Sequence, residues 1–349
     1  MGEENIYYDF GTLLSKNALI NMTLSNRGAG KTYGFTKWAI KDFLKTGKQF
    51  VYLRRYSTEL SRLDNFFDAV CGEFPDHKFM YKGGKKGGKF FIDDEICGFS
   101  APLSTSITLK SVPFPEVNKI CFDEFLIPKG NIHYLKDECH TFFDFIETIN
   151  RLRQTDKLHD LVRVFCFANT ISMVNPYFQY FGLTVNTSKR FNIYKEYNND
   201  VIVEIYKNTN YIEAKKETRM GKIMEKTAYG DYAIDGEFYQ DDDTFIEAKT
   251  KQAQNMVTVR YMDKTVGFWF DYNDGKIYAS YKTNPNCVWK FSLTSADHCP
   301  NYFLVKNAAS QPQMQTLSAA FQHGCMYFEN LNVKESVYKI MQLLCIRGG

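Results

Sequence analysis

The chain alternates between short apolar runs that end in turn-forming residues and longer stretches with apolar residues at helical spacing. "ALINMTL" (18–24) is mostly apolar, has strand length and is followed at once by a glycine-rich loop, which predicts a buried strand. In "KTYGFTKWAIKDFLKTG", Phe35, Trp38, Ala39 and Phe43 fall near one face of a helix from Lys31 to about Lys45, closed by Gly47. "QFVYLRR" predicts a second buried strand and "TELSRLDNFFDAVCGEF" a second helix. "KFMYKGGKKGGKFFID" predicts a hairpin with a long, lysine-rich turn. "NKICFDEFLI" is another strand, "FFDFIETINRLRQT" a helix, and "LVRVFCFANT" a strand whose last residues turn polar. Strand–loop–helix units repeated in this way predict an α/β fold with a mostly parallel, doubly wound sheet.

Past residue 200 the pattern changes. "EAKKETRMGKIMEK" is charged and helical in spacing, and "YGDYAIDGEFYQDDD" is acidic and rich in turn formers. From Asn255, alternating β runs are broken at Asp263-Lys264 and at Asn273-Asp274-Gly275, and helical pattern returns at "QMQTLSAAFQHG" and "VKESVYKIMQLLCI". The expected organisation is a first domain over 1–200, a charged linker over 201–234 and a smaller α/β domain over 235–349.

Composition narrows this picture without redirecting it. The 349 residues suffice for two domains, and 44% are apolar. With 30 Phe and 23 Tyr, aromatic cores are expected. No apolar run nears the roughly 18 residues that span a bilayer, and "MGEENIYYDFG" lacks the apolar stretch of a secretory signal. Ile6 stands where a myristoylation motif wants Ser or Thr. The nine cysteines include no C-x-x-C, and neither Cys139-His140 nor His298-Cys299 has metal-ligand spacing, so reduced, mostly buried thiols are expected. A net charge of +3 neither demands nor excludes a nucleic-acid partner, since one face can still be basic.

The chemistry centres on "SNRGAGKTYG". The phosphate-loop pattern G-x-x-x-x-G-K-[ST] is complete at Gly30, Lys31 and Thr32, with Ser25 in place of the opening glycine. Between a strand and a helix, such a loop turns its N–H groups toward phosphates at the positive end of the helix dipole. The run Arg27, Gly28, Ala29, Gly30, Lys31, Thr32 and Tyr33 is therefore the expected ATP-binding segment. Lys31 would reach the β- and γ-phosphates and Thr32 would ligate Mg²⁺. "KICFDEF" supplies the complement: Asp123 near the metal, and Glu124 to orient or deprotonate the attacking water. A water-activating glutamate favours ATP hydrolysis over kinase chemistry. Asn169, ending an apolar strand, either senses the γ-phosphate or serves a turn. Arg151 and Arg153 in "NRLRQ" either stabilise transferring phosphate or stand solvated on a helix, and Arg27, Arg54 and Arg55 leave the same two readings open.

Beyond these motifs, "RGAGKTYG", "QFVYLRRY", "EFPDH", "FDEF", "VNPYF", "KRFN" and "TRMGK" together resemble the DNA-packaging (encapsidation) ATPases of small short-tailed phages. The match runs in order from about residue 19 to the C-terminal hairpin. The resemblance implies an ASCE-type P-loop NTPase domain, with flanking helices on its sheet, and an RNase H-like second domain without its catalytic acids. It implies a homo-oligomeric ring, usually a pentamer, at the capsid portal (connector), driving double-stranded DNA into an empty capsid. It places this work in the host cell cytoplasm, transiently at the procapsid portal vertex and not in the mature virion. A packaging RNA links motor and portal in some relatives. The resemblance also puts Arg151 where an arginine completes the neighbouring subunit's site, and Lys110, in "TLKSV", where a second basic residue acts in trans. Arg153 and Lys110 stay open as alternatives for the arginine's part.

One feature departs from the family pattern: the lysine turn of Lys82, Lys85, Lys86 and Lys89 looks longer than expected. It either contacts DNA phosphates or capsid, or is a solvated hairpin tip. A competing expectation is a terminase-like ATPase with an active C-terminal nuclease, motivated by Asp241-Asp242-Asp243 and Asp271. A third is a P-loop protein that binds nucleotide only as a switch.

Overall fold

Continuous apolar runs, buried on both faces, form the middle of a nine-stranded sheet, as parallel strands must. The computed structural model describes residues 8–84, 86–110, 112–127, 133–135, 137–151, 161–170, 173, 175–207, 209–224, 245–304 and 311–346. Two compact units result: Met1–Ser172 with Val185–Gln240, and Met173–Thr184 with Asp241–Gly349. Arg153, Lys85, Asp241-Asp242-Asp243 and most of the acidic stretch before them lie outside the described residues.

The first unit contains β1 (Ile20–Ser25), β2 (Gln49–Arg54), β3 (Phe79–Gly84), β4 (Gly87–Ile92), β5 (Glu95–Pro102), β6 (Val117–Asp123), β7 (Arg163–Asn169), β8 (Phe191–Ile193) and β9 (Val201–Tyr206). Their order is β3-β4-β5-β2-β6-β7-β1-β9-β8. From β5 to β9 every pairing is parallel. The hairpin β3–β4 and the short β8 add antiparallel edges. Helix α1 is Phe10–Leu14, α2 Lys31–Thr46 and α3 Glu138–Asn150. The expected mostly parallel sheet with flanking helices is thus present. One face packs a ring cluster in which Phe10, Phe35 and Phe165 meet with centroids 5.2–6.0 Å apart and Phe50 stacks on Phe90 at 5.3 Å. That is the range for favourable aromatic pairs.

Three local expectations are corrected. Residues 57–73 form three 3₁₀ turns (Ser57–Leu60, Leu63–Asn65 and Cys71–Glu73) rather than a helix. Leu60, Leu63, Phe67 and Val70 are still buried, because their spacing serves successive tight turns as well as a helix. Asp64, Asn65 and Asp68 favour local bonds that compete with helix. The lysine-rich turn is short: the strands continue to Gly84 and Gly87, so Lys82 and Lys89 lie within them. Finally, Val201–Tyr206, expected to open the linker, is β9, wholly buried beside β1. The charged segment after it is helical as expected, forming α5 (Thr209–Glu217) and α6 (Arg219–Met224) in the first unit.

The second unit takes the "VNPYF" stretch out of the first half of the chain. There Asn175 caps α4 (Pro176–Phe181) by accepting from Phe178 N at 2.9 Å, and Pro176 suits the first turn. The final helix, Leu331–Ile346, bonds to this segment: Asn332 Nδ2 donates to Leu183 O at 2.5 Å. The sheet of this unit comprises β10 (Gln254–Tyr261), β11 (Lys264–Asp271), β12 (Lys276–Ser280), β13 (Trp289–Ser292), β14 (Phe303–Leu304) and β15 (Met326–Phe328), ordered β14-β13-β10-β11-β12-β15. β10, β11 and β12 are antiparallel, and β13, β14 and β15 add in parallel. Its core is mainly aliphatic, with Val257, Val259, Val266, Leu317, Val337 and Ile340 buried together beside Phe268, Phe291 and Phe328, so the aromatic expectation describes the first unit more fully than the second.

Candidate nucleotide-binding site

The loop after β1 follows from where glycine is obligatory. Gly28 has φ +82° and Gly30 φ +93°, a region where a side chain is strained. A Cβ at Gly28 would also lie 2.4 Å from the Tyr211 hydroxyl. Tyr211, on α5, donates to Arg27 O at 3.0 Å and so holds the loop from outside. Ala29 is buried and its carbonyl accepts from Tyr8 N at 2.8 Å. Gly30 then caps α2, whose first residues are Lys31 and Thr32. Ser25, in place of the usual glycine, is buried and accepts from Lys31 Nζ at 2.7 Å.

Lys31 bonds otherwise to Asn26 O at 3.4 Å, and among the described residues no carboxylate pairs with it. Burial pulls its ammonium down to about 8, against the opposing influence of Asp123, Glu124 and Glu204. A buried cation held only by neutral acceptors fits an incoming phosphate. Thr32 Oγ1 donates to Asp123 Oδ2 at 3.0 Å, bringing together two hard oxygen donors of the kind Mg²⁺ takes. β7 lies between β6 and β1, so Asp123 and the phosphate loop emerge from the same end of the sheet, one strand apart. Asn169 ends that intervening strand, paired with Ser25 in register. Tyr33 turns away to bond Glu73, with Lys37 over its ring at 5.8 Å.

Two arginines treated alike in the sequence separate here. Arg54 Nη2 lies 2.6 Å from Glu124 Oε2 and 3.0 Å from Glu59, with Asp123 at 3.8 Å from Nη1. Burial opposes its charge, yet Tyr52, Asp123, Glu124 and Glu59 together hold its pKa above the usual arginine value. Tyr52 also donates to Asp123 Oδ2 at 2.8 Å. Glu124 has φ +55° and a side chain 57% exposed, standing free of the sheet apart from Arg54. Arg55 is 1% exposed and clasps Glu138 through Nε and Nη2, both at 2.8 Å. It also donates to Glu124 O at 3.1 Å and Phe125 O at 2.5 Å, fixing the backbone that carries Glu124. Arg55→Met strands Glu138 without its countercharge and should lower unfolding free energy by about 3–5 kcal/mol in urea titrations. Adding Glu138→Leu should restore most of that loss, because apolar replacement of a whole buried pair is nearly neutral.

Behind β1, Glu204 on β9 is fully buried and joins Tyr8 OH at 2.5 Å, Thr23 Oγ1 at 3.1 Å and Arg190 Nε at 2.9 Å. Burial raises its pKa despite these partners. The network ties the N-terminal segment to the strand that feeds the phosphate loop. Nothing local in the sequence marks it.

Arg151 and Lys110 come together away from this cluster. Arg151 follows α3, with Nη2 3.4 Å from Lys110 O, and Lys110 Nζ lies 3.0 Å from Asp144 Oδ2. In the second unit, Asp271 caps the β11–β12 turn. It accepts from Thr250 and from the N–H groups of Asn273 at 3.0 Å and Asp274 at 3.4 Å. Its carboxylate serves that turn, which weakens Asp271 as a nuclease ligand; Asp241-Asp242-Asp243 lie outside the described residues.

Comparison with known proteins bears on the fold and the family. The DNA packaging protein of Bacillus phage phi29 is 32% identical over 345 residues, covering 99% of this chain and all of that protein. A structure of the phi29 viral genome packaging motor assembly superposes with a TM-score of 0.76 at 31% identity, over 97% of this chain and 99% of that one. The crystal structure of the N-terminal domain of the DNA packaging ATPase from bacteriophage phi29 matches with a TM-score of 0.52 at 36% identity, over 59% of this chain and 98% of that one. The family model described as podovirus DNA encapsidation protein (Gp16) matches residues 2–346. Similar in sequence over nearly its whole length and in the fold that carries the site, the chain belongs to the podovirus DNA encapsidation (Gp16) family.

Proposed function

We propose that this chain is an ATP-hydrolysing motor subunit that forms a ring, a pentamer, at the portal of an empty capsid and drives double-stranded DNA into it. The carrying observation is the convergence of buried Lys31 and Thr32 with Asp123, Thr32 Oγ1 lying 3.0 Å from Asp123 Oδ2. Lys31 neutralises the β- and γ-phosphates, and the N–H groups around Gly28 and Gly30 cradle them. Thr32 and Asp123 would hold Mg²⁺, which supplies charge neutralisation between the phosphates when bound. Glu124 orients and deprotonates water once released from Arg54. Asn169, between the two motifs, is read as the γ-phosphate sensor. The second unit, with its antiparallel strands extended in parallel and Asp271 engaged in a turn, supports a catalytically silent RNase H-like role in docking.

Lys31→Ala tests the reading. Phosphate release at steady state should fall by about 10²–10³-fold, the usual loss when one donor to developing charge is removed. Packaging of DNA into empty capsids should stop with it. Hydrolysis at the parent rate would overturn the assignment.

A further inference from the structure

The hairpin β3–β4 is absorbed by none of the chemistry above, and its charge is costly. Lys82 and Lys89 are directly paired across the two strands, and like charges so placed repel. Between Lys78 and Ile92 there is no Asp or Glu. Lys82, Lys86 and Lys89 are all exposed, and among the described residues no carboxylate pairs with any of them.

Edge protection explains only part of this. β3 ends the sheet, so one lysine on it would deter pairing with another chain. Lys89, however, sits on β4, which is paired on both sides, by β3 and by β5. A charge there protects no edge.

The glycines point the same way. Gly83 and Gly88 face Tyr81, whose hydroxyl would lie 2.3 and 2.7 Å from a Cβ at each; Tyr81 in turn bonds Ser100 Oγ at 2.8 Å. That is the inner face, with Phe90 fully buried. On the opposite face Lys82 and Lys89 lie side by side, and the glycine pair Gly84–Gly87 beyond them leads into the turn that carries the exposed Lys86. Lys82 leans back over the Phe91 ring at 5.3 Å. The result is a basic face that continues into Lys86 at the tip, open to close approach by a polyanion.

We propose that this hairpin grips the phosphate backbone of double-stranded DNA through Lys82, Lys86 and Lys89. This rests on the DNA-translocating reading and gives it a contact element. Lysines act as point charges with no base-edge specificity, which suits a motor that must hold any sequence.

The test uses the full chain and a short fluorescent DNA duplex of mixed sequence, titrated at several salt concentrations. Each phosphate contact contributes about 0.9 to the slope of log affinity against log salt. Replacing all three lysines by Ala should therefore flatten the slope by about 2.7, erasing about 40-fold of affinity loss between roughly 50 and 200 mM salt. Replacing all three by Arg should keep the parent slope. Hydrolysis of ATP without DNA should be unchanged in both variants. An unaltered slope in the Ala variant, or a parent chain that binds no duplex, overturns the proposal. So does a slope change seen only with a double-stranded RNA probe of the same length. DNA-free hydrolysis reports separately on the nucleotide site, so the hairpin can fail while the ATPase reading stands.

Discussion

Glu124→Gln is expected to slow ATP hydrolysis by about 10²–10⁴-fold, the range for loss of a positioned general base, while nucleotide affinity stays close to that of the parent. Glutamine keeps the length of the side chain and can still accept from Arg54, now 2.6 Å from the carboxylate. It cannot take a proton from water. The groups assigned to phosphate binding, Lys31, Thr32 and the loop N–H donors, are untouched, and Glu124 itself stands with its side chain largely in solvent. Single-turnover phosphate release, set beside titration with a fluorescent ATP analogue, separates the two effects. Hydrolysis within tenfold of the parent would assign water activation to another residue. A large affinity loss would instead mean that Glu124 holds the metal.

The parts of the site that were legible in the sequence are those whose partners are local. Gly28, Gly30, Lys31 and Thr32 lie in one turn between a strand and a helix, and the turn itself dictates their roles. Asp123 and Glu124 were legible because an apolar strand that ends in two carboxylates must put them at its tip. The Arg54–Glu124 pair was not, because it depends on register. Only the parallel pairing of β2 with β6, Leu53 beside Phe122, sets Arg54 next to the acidic pair. Tyr8 and Glu204 are 196 residues apart in sequence, and no periodicity signals a bond between them. Fold errors had the same origin. Glycines at 83, 84, 87 and 88 disfavour strand on propensity, yet Tyr81 fills the space above two of them and lets the ladder continue. Val201–Tyr206 reads as the start of a linker because charged residues follow it, yet its six buried side chains make it a strand of the sheet between β1 and β8.

Arg151→Ala should abolish hydrolysis in the assembled ring, by about 10³–10⁵-fold, while leaving nucleotide binding by the isolated chain intact. Arg151 bonds to the Lys110 carbonyl and Lys110 to Asp144; among the described residues neither side chain reaches Lys31, Thr32, Asp123 or Glu124 of its own chain. A phosphate-stabilising role for Arg151 therefore requires a neighbour's site. Its backbone adds a second motive. Arg151 adopts φ +44° and ψ −135° immediately after α3, a conformation that glycine accepts and a side chain resists. An arginine kept in a glycine's position implies strain tolerated for function. Arg151→Gly should thus match or exceed the parent in thermal stability and still be inactive. The decisive measurement mixes two inactive proteins, Arg151→Ala and Glu124→Gln. Where an Arg151 from the Glu124→Gln chain meets the intact Glu124 of an Arg151→Ala chain, one complete site forms and hydrolysis returns. Mixed rings as inactive as either variant alone would take Arg151 out of the crossing role and leave Arg153 and Lys110 as the candidates for the crossing charge.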